Sequence, residues 1–294
     1  MAKINVGGVS KEMKRALDKT NSETDRLNRF LGEMITGYKR KRPIASKAGF
    51  CPTANWFAMN TNADGFISPT MKLYQGIGNG VEAEIVSAYE RNSVLLGTQV
   101  LLPTPFGVDL GGFIDMIALN GQGEPSLYEI KTCSNIPNKI KPEHAAQVAA
   151  YWIFSGFERC YVIYVSRKVQ NYPDPNPLTK VFSFDPSEYE NEINNVFMSL
   201  VTGGASLPPS RPSFYRENNE CSFCSYKSIC WDNETNFMLA RDYAKFFGDA
   251  SVLKAKVLKE RKTFVSKTLE NCLSSVSIDN EKMLEGFISE AKKK

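Results

Sequence analysis

GGFIDMIALNGQGEPSLYEIK, residues 111–131, is the stretch that decides the fold. An apolar run, FIDMIAL, stops at NGQGEP, a turn composition, and a second apolar run, SLYEIK, follows it. Such runs on either side of a turn predict two antiparallel strands. Upstream, SVLLGTQVLL (93–102) reads as a further strand set off by PTPFG, so three successive strands form an antiparallel meander. Downstream, PEHAAQVAAYWIFSG (142–156) reads as a helix with Pro142 at its first position and Gly156 at its end. RCYVIYVSR (159–167) then reads as a buried strand. A helix joins the third and fourth strands, so this pair is expected to run parallel. The predicted class is α/β, a mixed central sheet flanked by helices.

Further out the patterns are coarser. Residues 10–37 carry apolar positions at helical spacing and predict an N-terminal helix ending near Gly37. A loop bearing Cys51 is expected to lead into GIGNGVEAEIVSAYERN (76–92), where Val81, Ile85, Ala88 and Tyr89 make a helical stripe with Glu82 near its start. NYPDPNPL (171–178) closes the core; DPSEYENEINNVFMSLV (185–201) is predicted helical, LPPSRPSFYRENN (207–219) extended, and the tail after Trp231 helical and charged. The expected division is an N-terminal helical region over 1–75, a core over 76–200, and a cysteine-bearing segment with a helical tail over 201–294.

The composition narrows the function classes. A chain of 294 residues with 42% hydrophobic and 23% charged residues has the make-up of a globular protein, as one large domain or two smaller ones. No apolar run is long enough for a bilayer and the first residues lack a secretory pattern, so a cytoplasmic protein without membrane contact is expected. Seven cysteines then imply reduced thiols rather than a disulfide framework. Cys133, Cys160 and Cys272 stand alone and read as small hydrophobes. The formal charge of +4 does not identify a polyanion binder. Two basic runs, KRKRP (39–43) with Lys47, and Lys254, Lys256, Lys259, Arg261 and Lys262, suit either phosphate contacts or solvated faces.

The chemistry concentrates on the two central strands. Glu129 and Lys131 alternate across Ile130 and so share a face. If the strands pair, Asp115 converges with them, placing two hard oxygen ligands beside one ammonium, a set that suits Mg²⁺ or Mn²⁺. Such an ion activates water and neutralises charge on a phosphoryl group. Glu82 offers a third carboxylate, and Gln147 and Tyr151, four apart, share a helix face, with His144 one turn earlier. The bland reading is a solvated strand. Trp56, Phe57, Tyr151 and Trp152 suit either stacking on single-stranded bases or the core. Cys221, Cys224 and Cys230 lie in CSFCSYKSIC, with Cys51 170 positions upstream. Four thiolates hold iron-sulfur or zinc; three local thiols with another fourth ligand would leave Cys51 in the core.

GNGVE, GGFID, YEIK and QVAAY together resemble the ordered motifs of the RecB-like branch of the PD-(D/E)XK nuclease superfamily. With the cysteines added, residues 45–232 resemble its iron-sulfur subgroup, which includes CRISPR-associated RecB-like exonucleases and the AddB nuclease domain. The resemblance implies a restriction-endonuclease-like core with N- and C-terminal regions joined by a cysteine-ligated cluster. It implies Asp115 and Glu129 as metal-binding acids, with Ile130 and Glu82 in the metal set, and Lys131 as the catalytic lysine. Gln147 and Tyr151 match a Gln-x-x-x-Tyr motif tied to DNA binding and active-site support. Glu82 stands where many members carry histidine, a departure that changes charge; His144 does not occupy that place. A 4Fe-4S cluster on Cys51, Cys221, Cys224 and Cys230 is implied, zinc being the alternative.

The expected activity is Mg²⁺- or Mn²⁺-dependent hydrolysis of DNA phosphodiester bonds, as an exonuclease on ends or single strands in replication, recombination or repair. An endonuclease of the same superfamily, such as one trimming CRISPR spacer precursors, and a non-catalytic DNA-binding scaffold are the alternatives. No helicase motif such as GxxxxGK[ST] is present, so unwinding would come from a helicase or single-strand-binding partner, or from a frayed end.

Overall fold

A computed structural model describes residues 33–35, 44–47, 51–61, 65–67, 69–103, 110–167, 178–203, 205–209, 226, 230, 237–275 and 278–293. Its centre is a five-stranded mixed sheet in the order β3-β4-β5-β6-β7, made of Leu95–Leu101, Phe113–Leu119, Pro125–Cys133, Cys160–Ser166 and Thr179–Ser183. β3, β4 and β5 form the expected antiparallel meander, and β5 pairs with β6 in parallel from Leu127↔Cys160 to Cys133↔Ser166. The α/β class expected from the sequence is therefore present. The turn between β4 and β5 is closed by Asn120, whose side-chain oxygen accepts the N–H groups of Gln122 and Glu124 at 2.9 and 3.0 Å. β7, antiparallel to β6, was hidden in the sequence behind the Pro and Asn rich loop that precedes it.

Helices cover the two faces unequally. Pro142–Ser155 (α3 in chain order) crosses from β5 to β6 and is buried from Ala145 to Tyr151 and from Ile153 to Ser155. Its alanines let it lie close to the sheet while Glu190–Thr202 (α4) packs on its outer side. The chain leaves α3 through Gly156 at φ +79°, where a Cβ would stand 2.6 Å from the carbonyl oxygen of Arg261, so glycine is required there. Ala240–Glu260 (α5), Phe264–Cys272 (α6) and Ile278–Lys293 (α7) extend the same layer. Leu96, Ile114, Leu127, Tyr164, Phe154, Phe197, Leu269 and Leu284 form one continuous core across it.

Among the described residues, the opposite face is covered by Pro69–Arg91 (α2) alone. Val81, Ile85, Val86 and Tyr89 pack on a small cluster of Leu95, Met116, Ala118, Tyr128, Ile130, Ile163 and Val165. Three residues of the expected stripe, Val81, Ile85 and Tyr89, are therefore the partly buried packing edge of this helix, with Val86 there instead of Ala88. The helix begins seven residues before the predicted segment, because Gly76, Gly78 and Gly80 mask its start in the sequence.

Three expectations for the flanks are corrected. Residues 33–35, placed in an N-terminal helix, are strand β1 (Glu33–Ile35), paired antiparallel with β2 (Gly65–Ile67); the rest of the expected helix up to residue 32 lies outside the described residues. The loop expected to carry Cys51 is instead the start of a helix, Pro52–Asn60 (α1), with Cys51 at its N-cap and Pro at its first position. Among the C-terminal basic residues, Arg261 is buried and bonds the carbonyl oxygens of Gly156 and Phe157 at 2.8 and 3.1 Å. Its guanidinium lies 4.0 Å from the Trp152 ring centroid. Lys254 of α5 reaches Asn194 of α4 at 2.9 Å, and Lys262 pairs at 2.8 Å with Glu158 in the loop after α3.

Candidate active site

The site forms where β4 and β5 part. Their ladder runs from Leu119↔Pro125 to Met116↔Tyr128 and stops, so Asp115 and Glu129 are the first residues of the fork. Asp115 Oδ2 accepts the N–H of Ile130 at 2.9 Å, replacing with a side chain the rung the departing strand no longer supplies. β5 meanwhile continues against β6, which keeps Glu129, Ile130 and Lys131 straight and regular. A cleft of about 740 Å³ opens above this fork, with Glu82, Asp115, Glu129, Ile130, Lys131, Gln147 and Tyr151 all on its walls. All seven positions singled out in the sequence for catalysis or metal binding therefore meet in one place.

Lys131 and Glu129 do share a face. The Lys131 ammonium is ion-paired with Glu129 Oε1 and donates a second bond to Gln147 Oε1 at 3.0 Å. Gln147 Nε2 donates to the Tyr151 hydroxyl at 2.8 Å, and that hydroxyl donates to the carbonyl oxygen of Phe113 at 2.8 Å. One turn of α3 thus relays from the ammonium to the backbone two residues before Asp115, which accounts for the four-residue spacing of Gln147 and Tyr151. Gly112 lies beside the last contact; a Cβ there would crowd Ala45 Cβ at 3.0 Å and touch Tyr151 at 3.5 Å. Ala45, fully buried in a short 3₁₀ turn over Ala45–Lys47, donates its N–H to the carbonyl oxygen of Gly111 at 2.8 Å and walls that side.

Charge balance is the notable property of the floor. Glu129 is 1% exposed, and its Oε2 is buried with no hydrogen-bond partner. Burial raises its carboxyl above the ordinary range against the pull of Lys131. Burial, followed by the Glu129 charge, holds Asp115 well above the usual carboxylate range. Glu82 is raised by burial and by Asp115. Burial works against the Lys131 charge, yet Glu129 and Asp115 together hold its ammonium above the ordinary lysine range. Among the described residues, no group of three or more His, Cys, Asp or Glu side chains is placed to hold a metal ion together. The carboxylates share a cleft without surrounding a single point.

Two residues at the site carried no sequence signal. Gln99, on β3, has φ +47°, a left-handed conformation that costs a non-glycine residue about 1–3 kcal/mol. Its flanking pairs, Thr98↔Met116 and Val100↔Ile114, set it opposite Asp115, and its amide donates to Glu82 Oε1 at 2.5 Å. Gln99 sits in an apolar run that reads as regular strand, so nothing marked it. Phe113, two residues before Asp115, is 54% exposed on the cleft wall.

Other candidates lie elsewhere. The four aromatics considered for base stacking are engaged in packing: Phe57 and Tyr151 are buried, Trp56 donates to the carbonyl oxygen of Ala205 at 2.8 Å, and Trp152 lies under Arg261. His144 faces the Tyr164 hydroxyl at 2.7 Å. Cys221, Cys224 and the basic run 39–43 lie outside the described residues. Cys51 is half-buried and Cys230 buried. The N–H of Cys230 bonds the carbonyl oxygen of Tyr226 at 2.9 Å, and the Tyr226 ring stacks on Phe57 of α1 at 6.0 Å. Cys51 and Cys230 therefore belong to the same packed unit. No described helix is long and apolar enough to cross a membrane.

No family model and no curated protein matches the chain. The crystal structure of SSO0001 is similar over 76% of this chain and 94% of its own, with a TM-score of 0.43 and 15% identity, a likeness too slight to carry an argument.

Proposed function

We propose that the chain is a metal-dependent nuclease of the RecB-like PD-(D/E)XK type, hydrolysing DNA phosphodiester bonds as an exonuclease at ends or on single strands. The observation that carries this reading is the buried, partnerless Oε2 of Glu129 beside Asp115 on the floor of an open cleft. A buried carboxylate oxygen without a donor is costly unless a cation takes it or a proton is shared with the acid beside it, and the raised Asp115 and Glu129 carboxyls mark the place where a cation would replace that proton. The donors at hand are hard oxygens: Asp115, Glu129, the Ile130 carbonyl and, from α2, Glu82. That set suits Mg²⁺ or Mn²⁺. When bound, such an ion would acidify a water and neutralise charge on the phosphoryl group.

The chain's own groups would do the rest. Lys131, held protonated by its acidic neighbours and aimed by Gln147, presents a fixed ammonium to a phosphate oxygen or to the attacking water. Tyr151 fixes Gln147 and anchors the strand that carries Asp115. Cys51, Cys221, Cys224 and Cys230 would hold a 4Fe-4S cluster, or zinc, as a staple without a catalytic step. The shared packing of the Cys51 and Cys230 segments supports this assignment.

The experiment is degradation of end-labelled linear and circular single-stranded DNA with Mn²⁺, by wild type and Glu129→Ala, with visible absorbance and metal content recorded for each preparation. Cutting of linear DNA only, lost in Glu129→Ala, supports the exonuclease. Cutting of circles reassigns the protein as an endonuclease. Equal cutting by both proteins ends the active-site assignment, and a colourless, iron-free preparation purified without oxygen ends the iron-sulfur one.

A further inference from the structure

Among the described residues, the cleft walls carry one ammonium, Lys131, against three carboxylates, Glu82, Asp115 and Glu129, and the remaining polar groups are neutral. A groove that grips nucleic acid through its phosphates needs several lysines or arginines. Among the described lining residues that means of holding substrate is missing. The cleft offers instead an aromatic ring, Phe113, 54% exposed on its wall. Phe113 and Asp115, two residues apart on the strand, both line this cleft. The Tyr151 bond to its carbonyl oxygen locks the backbone beneath it. Across the cleft, Gln75 and Asn79 stand one turn apart on α2, with Gly78 between them leaving the wall open.

We infer that Phe113 is a stacking platform for a base of single-stranded DNA next to the phosphate at the Asp115–Glu129 floor, with Gln75 and Asn79 as neutral hydrogen-bonding groups opposite. This rests on the nuclease reading and adds the substrate form and the residue that selects it. A base in a duplex stacks on its neighbours and leaves no face for the ring, whereas an unpaired base has one. Stacking holds the strand without drawing on the lysines absent among the described lining residues, and it tolerates any base.

The test uses full-length protein and a single-stranded oligonucleotide with 2-aminopurine along its length, bound to the Glu129→Gln variant so that binding is read without cleavage. The fluorescence is expected to be quenched on binding. Adding Phe113→Leu should abolish the quench and weaken binding about 10-fold, and Phe113→Tyr should restore both. In the catalytic background with Mn²⁺, Phe113→Leu should raise KM by a similar factor with kcat little changed. Unchanged quench, affinity and KM in Phe113→Leu would overturn the inference while the nuclease reading stands. Quench lost in Phe113→Leu, with a wild type that cuts nothing, would retire the nuclease reading and keep the binding site. Equal quenching of blunt duplex would overturn single-strand selection. Because Phe113 is exposed, an unchanged thermal midpoint is expected, and the Tyr variant guards against a folding defect.

Discussion

The two faces of the sheet differ in how they are held. On one, α3 is enclosed by the strands, α4 and the C-terminal helices, and its core is continuous. On the other, α2 rests on seven buried residues, and its N-terminal half leaves Leu73, Tyr74 and Ile77 about half exposed. Each face sends groups to the same cleft. The thick face sends Lys131's partners, Gln147 and Tyr151, locked through three successive hydrogen bonds. The thin face sends Glu82, tethered by one amide from a strained residue. Elements under dense packing move least, and those with few buried contacts lie at the low-stability end of a fold. The ammonium is therefore fixed, and the third carboxylate is adjustable.

The comparison can be broken in several places. The largest effect belongs to the floor that both faces share: Glu129→Ala should lower Mn²⁺-dependent cleavage about 10³-fold, several kcal/mol of transition-state stabilisation. An active Glu129→Ala would detach both faces from catalysis. Next is the thick core, where Phe154→Ala should cost about 3–5 kcal/mol in urea unfolding; a loss near that of a surface residue would deny the packing contrast.

The same face predicts a pH effect. Burial, then the charges of Lys131 and Lys141, push His144 down to about 3. The folded chain then keeps it neutral while the unfolded chain protonates it near pH 6.5. Stability is unaffected above that pH, and falls by about 1.4 kcal/mol per unit as pH drops from about 6.5 towards 3. Subtracting urea midpoints of His144→Gln from wild type at pH 7, 6 and 5 should isolate this slope. Parallel curves would mean that the imidazole protonates freely.

The thin face is sharpened by smaller changes. Gln99→Gly removes the strained conformation and the amide together. It should leave the thermal midpoint unchanged or raised, while the Mn²⁺ concentration for half-maximal cleavage rises about 10-fold, as expected when a ligand loses its orienting partner. A lowered midpoint with unchanged Mn²⁺ demand would make Gln99 merely structural. Ile85→Val, under α2, should cost only about 0.5 kcal/mol.

Legibility in the sequence followed these physical differences. The meander, the parallel crossover and α3 were readable because buried strands are continuously apolar and α3 carries both a Pro start and a Gly stop. Glu129 with Lys131, and Gln147 with Tyr151, were readable because period two and period 3.6 place each pair on one face, and Asp115 because its strand pairs with the one that carries Glu129. Helix α1 was not, since PTANWFAMN is short and depends on its contacts with residues 203–209. Gln99 was not, because a left-handed residue inside an apolar strand is a product of the neighbouring strand and of Glu82, not of its own composition. Phe113 looked like any strand aromatic until the fork left it exposed.

The rung that Asp115 supplies to Ile130 changes how a mutational scan of this chain should be interpreted. One carboxylate oxygen stitches two strands together, and the residue's charge is a separate property. Truncation to alanine discards the stitch and the charge at once, and would register as a damaged scaffold as well as a dead site. Asp115→Asn keeps an oxygen to receive the Ile130 N–H and deletes only the charge. The difference between those two variants measures how much of the residue's importance is architecture and how much is chemistry.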